Sequence, residues 1–325
     1  MHPGSLLASL LLAAAPSVQE QVEVSRVLLD ARVVGRGGDP VLDLTPDDFV
    51  VRVDGIPARV EAADWVGDGN SDAGASGSAS SAPQLLVLFF QRQMEESRAV
   101  GLLRIAPILA RMVEELDPQT WVAVATFDSH LELYTDFTRD HAQVADMLRR
   151  HVMFLDHPGM PEKGQGPSLV GRLDFRAMKK AYNIETALKL LATALEPMDG
   201  AKSLAYFCTG MGRLTSLGIL QHRDFAPAVQ SLVRGRTAVF SLDLVQADLH
   251  SLEEPLRFLA RTTGGFYDKT YVIPTGNVHR LASALTGHYV LAIESPVRSR
   301  GEHRITVELG HGLHGTVHAR DSFVD

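Results

Sequence analysis

Residues 85–90 read Leu-Leu-Val-Leu-Phe-Phe, a run of six large apolar side chains with no polar interruption. A strand with one face in water alternates apolar and polar residues, so this run predicts a strand that is buried on both faces. Further apolar runs lie at 121–127, 203–209 and 237–242. Together the four runs predict the central strands of one sheet that is covered by helices on each side.

Helical patterns separate these runs. After the first run, apolar residues recur at spacings of three and four, as on one face of a helix: Leu102, Ile105, Leu109, Met112, Val113 and Leu116. Similar patterns predict four more helices, at about 174–195, 225–233, 252–259 and 278–285. Strands that alternate with amphipathic helices indicate βαβ units. The predicted fold is therefore a doubly wound, Rossmann-like α/β domain with a mainly parallel sheet at 84–287, in which the alternating stretch 131–137 forms an edge strand.

Both ends of the chain have β character. Residues 19–66 contain alternating stretches around the turn pair Asp54-Gly55, and 288–325 contains three apolar stretches punctuated by glycine. Residues 67–83 between the first segment and the α/β domain consist mostly of Gly, Ser, Ala and Asp, which is typical of a flexible linker. Each β segment is too small to bury a core of its own. We therefore expect the two segments to pair into one small β module beside the α/β domain.

Three motifs resemble a known family. Residues 44–55 read Leu-Thr-Pro-Asp-Asp-Phe-Val-Val-Arg-Val-Asp-Gly, residues 260–267 read Ala-Arg-Thr-Thr-Gly-Gly-Phe-Tyr, and residues 288–296 read His-Tyr-Val-Leu-Ala-Ile-Glu-Ser-Pro. In this order they resemble the von Willebrand factor type A-related proteins that are abundant in Acidobacteria. The resemblance implies a type A domain in the α/β region and an exported protein. It implies no known chemistry.

Type A domains often bind a divalent cation at the carboxyl ends of their central strands, and the resemblance implies where its ligands would stand here. Gln91 takes the position of the first Asp, Gln93 and Glu95 those of two Ser residues, Tyr182 that of a Thr, and Thr209 that of the second Asp. A one-turn slip would offer Thr186 in place of Tyr182. A hard cation requires at least one or two carboxylates.

Both defining aspartates are therefore replaced, and we predict a degenerate site without a metal. The rim of this site would recognise a partner through hydrogen bonds and one aromatic ring. It is formed by Gln91, Gln93, Glu95, Tyr182 and Thr209. The simpler interpretation is that Glu95 is a favourable anion in the first turn of a helix and that Gln91 and Gln93 are ordinary loop residues.

The composition excludes several classes of function. A formal net charge of −8 disfavours nucleic-acid binding, which requires clustered Lys and Arg. The single cysteine, Cys208, excludes an internal disulfide and cysteine-rich metal sites, and its apolar surroundings predict a buried thiol. The apolar run 6–15 is too short to span a bilayer and ends in Ala-Ala-Ala, so residues 1–18 are interpreted as a signal peptide, although no Lys or Arg precedes the run.

No other motif indicates catalysis or a cofactor. Gly264-Gly265 precedes a predicted strand, so it is interpreted as a turn and not as a phosphate-binding loop. His311 and His314 lie in a glycine-rich β region, where a spacing of three does not place them on one face. The predicted function is a non-enzymatic, exported binding or scaffold protein that contacts another protein, without a small-molecule cofactor. The alternatives are a Mg²⁺- or Mn²⁺-dependent adhesion domain and an enzyme with an unrecognised site.

Overall fold

The computed structural model describes residues 26–67, 83–92, 96–150, 159–247, 250–297, 299–310 and 312–324. The predicted signal peptide at 1–18, most of the predicted linker at 67–83, and the predicted site residues Gln93 and Glu95 lie outside these ranges. The domain boundaries drawn from the sequence stay predictions.

The strands, numbered in chain order, are β1 (Arg26–Val34), β2 (Phe49–Val53), β3 (Ile56–Gly67), β4 (Leu85–Gln91), β5 (Trp121–Phe127), β6 (Leu131–Thr138), β7 (Lys202–Cys208), β8 (Arg213–Thr215), β9 (Gly218–Leu220), β10 (Thr237–Asp243), β11 (Tyr267–Lys269), β12 (Gly287–Glu294), β13 (Glu302–Leu309), β14 (Thr316–Ala319) and β15 (Ser322–Val324). The helices are α1 (Glu96–Glu114), α2 (His141–Arg150), α3 (Phe175–Lys179), α4 (Ile184–Leu195), α5 (Phe225–Arg234), α6 (Glu254–Thr263) and α7 (Pro274–Leu285). Short 3-10 helices lie at Pro46–Asp48 and Ser251–Glu253.

The predicted α/β fold is confirmed. Six strands form one sheet in the order β11-β10-β7-β4-β5-β6, and every neighbouring pair is parallel except β5 with β6. The edge strand predicted at 131–137 is this antiparallel β6. No helix within the described ranges is both long and apolar enough to cross a bilayer.

The central strands are buried on both faces, as the uninterrupted apolar runs predict. Alternate side chains of β4 enter two different cores: Phe89 packs in the core beneath α4, α5 and α6, and Phe90 packs in the core beneath α1, α2 and α7. Stacked rings continue both cores into β7, where Tyr206 lies 5.2 Å from Phe89 and Phe207 lies 4.7 Å from Phe90, measured between ring centroids.

The single helix predicted at 174–195 is instead two helices, α3 and α4. Each begins at its own polar cap. The Asp174 carboxylate accepts a hydrogen bond from the backbone N–H of Arg176 at 2.8 Å, and the Asn183 amide oxygen accepts one from the N–H of Thr186 at 2.8 Å. A cap satisfies backbone donors that have no partner inside the helix, so Asn183 starts a second helix where the apolar spacing alone indicates continuity.

The two ends of the chain form one antiparallel sheet, as predicted. Its strand order is β14-β1-β12-β3-β2-β13-β15. Strands from the two ends of the chain are therefore interleaved. Asp54 and Gly55 join β2 to β3 with positive φ angles of 51° and 81°, the backbone that a tight hairpin requires. The sheet has its own core, which includes Leu29, Val53 and Leu291.

The antiparallel sheet contacts the α/β domain at the amino-terminal ends of the parallel strands. Asp30 on β1 forms an ion pair with Arg236, which immediately precedes β10. Arg32 on β1 donates a hydrogen bond to the carbonyl of Ala284 in α7 at 3.2 Å. The carboxyl-terminal ends of the parallel strands, where α/β sheets bind ligands, lie at the opposite end of the sheet.

The pair Gly264-Gly265 is the turn that the sequence predicts, and close packing fixes both residues. Gly264 has a φ of 81° and ends α6. A Cβ atom on Gly265 would overlap the carbonyl oxygen of Val239 in β10. The chain therefore passes against β10 at a distance that only glycine permits.

We expect Gly265→Ala to lower the free energy of unfolding by about 3 kcal/mol, because the backbone of β10 must move to admit the methyl group. Urea denaturation followed by circular dichroism measures this loss. Gly171→Ala is the matched control, because a Cβ atom there meets its nearest neighbour at an ordinary 3.6 Å. Equal stability of the two variants would contradict the proposed close approach.

His318 on β14 predicts a pH dependence of folding. Its Nε2 lies 3.2 Å from a guanidinium nitrogen of Arg280, and its ring packs on Phe266. Burial, with smaller effects from the charges of Arg280 and Arg32, lowers the pKa of His318 to about 4. The folded protein therefore holds a neutral ring that the unfolded chain protonates near pH 6.5.

The contribution of His318 to stability is present above pH 6.5 and is lost as the pH falls from 6.5 towards 4. We expect wild type to lose on the order of 2 kcal/mol more than His318→Gln over this interval, because the glutamine does not titrate. Urea denaturation of both proteins at several pH values measures the difference. Parallel stability curves for the two proteins would show that the ring is not held neutral.

Candidate functional site

The centre of the candidate site is the edge where β4 and β7 end side by side. From β4 the chain continues to β5 on one side, whereas from β7 it continues to β10 on the other side. Connections that diverge in this way leave a crevice at the carboxyl ends of the two strands, the usual ligand position in doubly wound sheets. Gln91 is the last residue of β4, and Thr209 directly follows β7.

Gln91 is buried, and its side-chain oxygen is hydrogen-bonded inside the protein. Its side-chain oxygen accepts a hydrogen bond from the Tyr206 hydroxyl at 2.9 Å and another from the backbone N–H of Thr209 at 3.1 Å. The alternation along β4 places Gln91 on the same face as Phe89, which stacks on Tyr206. The amide therefore joins the ends of the two strands, and both of its acceptor positions are occupied by protein donors.

Thr209 contributes a second unusual feature. Its hydroxyl oxygen is buried and has no hydrogen-bond partner within the described part of the chain. A buried hydroxyl without a partner has lost its hydration without compensation, which is a local cost to folding. The side chain of Thr209 thus lies at the crevice with its bonding capacity unused.

Arg92 follows Gln91, and its charge is neutralised locally. The guanidinium is buried, forms ion pairs with Glu132 at 2.9 Å and Asp128 at 3.2 Å, and donates to the Tyr134 hydroxyl at 3.0 Å. These partners lie on and beside the antiparallel pair β5–β6. Asp128 and Glu132 are therefore paired with this arginine.

The second loop does not complete a cation site. Tyr182 is 76% exposed and stands on the surface before α4. Thr186, the alternative from a shifted alignment, donates its hydroxyl hydrogen to Asp224 at 2.8 Å. The structure thus brings Gln91 and Thr209 together, whereas Tyr182 is exposed on the surface. That Gln91, Tyr182 and Thr209 bind a partner stays a prediction.

After β7 the structure shows an apolar hairpin that the sequence patterns do not predict. Strands β8 and β9 form a two-stranded ribbon after β7, and Leu217 at its tip is 98% exposed. Leu214 and Leu220 are also exposed. At the base of the ribbon, the backbone N–H of His222 donates to Glu185, three residues after Tyr182. We call Tyr182 and the three leucines the apolar rim.

A polar cluster lies beside the crevice, where β10 ends. The Asp243 carboxylate is fully buried and accepts hydrogen bonds from His250 Nε2 at 2.8 Å and from the Tyr267 hydroxyl at 2.6 Å. Glu253 Oε2 accepts from Tyr267 at 3.2 Å and from Lys269 Nζ at 2.9 Å. The sequence signal for this cluster is a His-x-x-Glu spacing shortly after a buried strand that ends in Asp.

The cluster has the ligand types of a metal site, but its carboxylates are already neutralised by nearby cations. Ligand atoms of Asp243, His250 and Glu253 lie within 4.8 Å of one another. The two carboxylates, however, already face two cations, Lys269 and Arg257, the second of which lies 3.2 Å from Glu253. A bound divalent ion would therefore have to displace the Lys269 ammonium group.

The pKa of Glu253 agrees with a tightly paired carboxylate. Its burial acts to raise the pKa, but the hydrogen bonds and charges of Lys269 and Arg257 outweigh burial and lower the pKa to about 2. Burial and the hydrogen bond to Asp243 raise the pKa of the Tyr267 hydroxyl far above its usual range. Tyr267 therefore stays a hydrogen-bond donor between the two carboxylates.

We expect Gln91→Ala to lower the free energy of unfolding by roughly 2 kcal/mol, because it leaves the Thr209 N–H and the Tyr206 hydroxyl without their acceptor. The exposed Tyr182→Ala is the control and is expected to change stability by less than about 0.5 kcal/mol. Denaturant titration measures both. A Gln91→Ala protein as stable as the control would show that Gln91 is an ordinary loop residue.

No protein-family model and no curated protein matches the sequence. Solved structures that are similar in fold include the following three. The human COPII-coat protein Sec24c matches with a TM-score of 0.44 and 10% identity over 74% of this chain, which spans 44% of that longer protein. A von Willebrand factor type A protein from Catenulispora acidiphila matches with a TM-score of 0.42 and 11% identity over 87% of this chain and 74% of that one. An aerotolerance-related membrane protein from Bacteroides fragilis matches with a TM-score of 0.41 and 13% identity over 62% of this chain and 97% of that one. At this level the similarities concern the fold alone.

Proposed function

We propose that this chain is an exported, non-enzymatic binding or scaffold protein whose α/β domain contacts another protein at the carboxyl edge of its parallel sheet, without a metal. One observation carries the proposal. The Gln91 amide, where a cation-binding type A domain would have a carboxylate, is committed to Tyr206 and Thr209 inside the protein.

The chemistry of the crevice disfavours a hard cation. Mg²⁺ requires anionic oxygen ligands, and Gln91 and Thr209 supply a neutral amide and a neutral hydroxyl. The nearby carboxylates of Asp128 and Glu132 are paired with Arg92. A cation in this crevice would thus bind beside neutral donors and within reach of a guanidinium.

The apolar rim supports a protein partner. Leu217 is nearly fully exposed, and Leu214, Leu220 and the Tyr182 ring are exposed as well. The hydrogen bond from the His222 N–H to Glu185 links the segments that carry them. Large apolar side chains exposed at a surface are typical of interaction sites when they lie together, and aromatic residues contribute strongly to the affinity of such sites. The residues predicted from sequence for this role include Tyr182 but not the hairpin.

Cation-dependent adhesion remains the second function to test, because one observation favours it. Asp243, His250 and Glu253 hold three ligand atoms close together at the same edge of the sheet. The same residues are where an enzymatic function would be sought, since the buried Asp243 orients an imidazole. Their charge balance with Lys269 and Arg257 supports a structural role.

Isothermal titration calorimetry with Mg²⁺, Mn²⁺ and Zn²⁺ distinguishes the two functions. We expect no stoichiometric binding by wild type. Lys269→Met, which removes the competing ammonium group, is the informative variant for the polar cluster. Tight binding by wild type that Asp243→Asn abolishes would replace this proposal with cation-dependent adhesion.

A photo-crosslinking residue at Leu217 tests the protein partner. We expect one partner to be captured from the native source, and we expect Tyr182→Ala to weaken that capture at least tenfold, because an aromatic anchor contributes about 2 kcal/mol. The crosslinker at the exposed Arg52, on β2 of the antiparallel sheet, is the control. Equal capture of the same partner from both positions would contradict a docking site at the apolar rim.

A further inference from the structure

The contact between the two sheets encloses a small cavity with an excess of positive charge. Arg32 on β1, Arg236 before β10 and Arg320 after β14 line it, together with Asp30 on β1. The remaining lining is apolar or neutral, and includes Leu232 and Thr263. We call this space the arginine cavity. Among the described residues that line it, Asp30 is the one carboxylate.

Arg236 neutralises the charge of Asp30. The guanidinium donates to both carboxylate oxygens of Asp30, from Nε at 2.9 Å and from a terminal nitrogen. His288 Nε2 lies 3.4 Å from the same carboxylate. Although burial acts to raise it, these partners hold the pKa of Asp30 well below its usual range, and the carboxylate stays ionised.

Arg32 has no carboxylate of its own. Its side chain is 4% exposed, and Nε donates to the Ala284 carbonyl at 3.2 Å. A terminal nitrogen lies 3.5 Å from the Ser203 hydroxyl, and the guanidinium carbon lies 5.4 Å from the centre of the Phe240 ring. These contacts are dipolar and do not neutralise a full charge.

Arg320 is held in the same way. One terminal nitrogen donates to the Leu28 carbonyl at 2.9 Å, and the other lies 3.5 Å from the Val233 carbonyl. Its Nε is buried and has no hydrogen-bond partner within the described residues. The guanidinium therefore enters the joint between the sheets with one donor unused.

Three guanidinium groups and one carboxylate leave two positive charges without a counter-charge. Burial lowers the pKa of Arg32 and of Arg320, but an arginine in a protein does not give up its proton. Lys202, at the start of β7, experiences the same environment, since burial and the charge of Arg236 lower its pKa to about 8. Arg32 is buried, and a buried charge is normally paired, so this joint lacks a counter-charge for Arg32.

We propose that the arginine cavity binds a monatomic anion, chloride in physiological solution, between Arg32 and Arg320. The space open to the centre of a water-sized sphere is about 10 Å³, close to that of a single sphere. This volume is on the scale of one small ion and is too small to enclose phosphate or sulfate. The bound ion neutralises part of the excess charge and links the antiparallel sheet to the α/β domain.

The proposal is independent of the function proposed for the carboxyl edge, because the cavity lies at the amino-terminal ends of the parallel strands. Its consequence is a fold whose joint is stabilised by halide. A ligand that binds only the folded protein raises its stability with concentration, and a millimolar site produces a measurable shift at a few hundred millimolar salt.

Thermal unfolding in sodium chloride, sodium bromide and sodium gluconate at equal ionic strength tests the proposal. We expect the unfolding midpoint of wild type to be roughly 2–4 °C higher in 0.5 M chloride or bromide than in gluconate. Arg320→Met is expected to remove this difference, and Arg52→Met, which changes an exposed arginine away from the cavity, is expected to retain it. Equal midpoints in the three salts for wild type would overturn the proposal, as would a halide effect that Arg320→Met leaves unchanged.

A crystal grown in bromide provides a direct readout that does not depend on the stability of a variant. We expect one anomalous peak within hydrogen-bonding distance of the Arg32 and Arg320 guanidinium groups. An empty or water-filled cavity would overturn the proposal. A peak without any halide-dependent stabilisation would identify an adventitious ion only, and would overturn it as well.

Discussion

The central strands β4 and β7 are apolar on both faces, so each face must be covered. This constraint requires helices on both sides of the sheet, and it leaves only the ends of the strands for polar chemistry. Stacked pairs of aromatic rings, Phe89 with Tyr206 and Phe90 with Phe207, show how evenly the two faces are filled. Because the middle of the sheet is filled by apolar packing, polar and charged residues gather at the two ends of the strands.

At the amino-terminal end the strands meet a second sheet that is assembled from both ends of the chain. The contact is not a simple apolar surface. Asp30 and Arg236 form an ion pair there, and Arg32 and Arg320 enter the same joint with carbonyl groups as their main partners. A buried pair of this kind contributes less to stability than its geometry suggests, because both charges lose their hydration. It does fix how the sheets meet, and it creates the excess positive charge on which the anion proposal rests.

At the carboxyl end, polar side chains are held by hydrogen bonds and ion pairs within the protein. Gln91 joins two strand ends through its amide oxygen, and the cluster around Asp243 balances two carboxylates against Lys269 and Arg257. Both arrangements are satisfied without an ion. The buried Thr209 hydroxyl has no partner among the described residues, and Leu217 and Tyr182 expose apolar surface.

The sequence by itself determined the elements whose cause is local or periodic: the doubly wound sheet from its uninterrupted apolar runs, the β hairpin at Asp54-Gly55, and the pairing of two β segments too small to fold alone. It also located Gln91 and Thr209 at the ends of two strands. The apolar spacing predicted one helix in place of α3 and α4. It does not reveal that the cap at Asn183 begins a second helix. Only the tertiary structure decided that Gln91 is internally bonded, that Asp243, His250 and Glu253 converge, and that three arginines share one cavity. These outcomes depend on side chains that lie far apart in the chain and meet only when the sheet order is set, which no local pattern records.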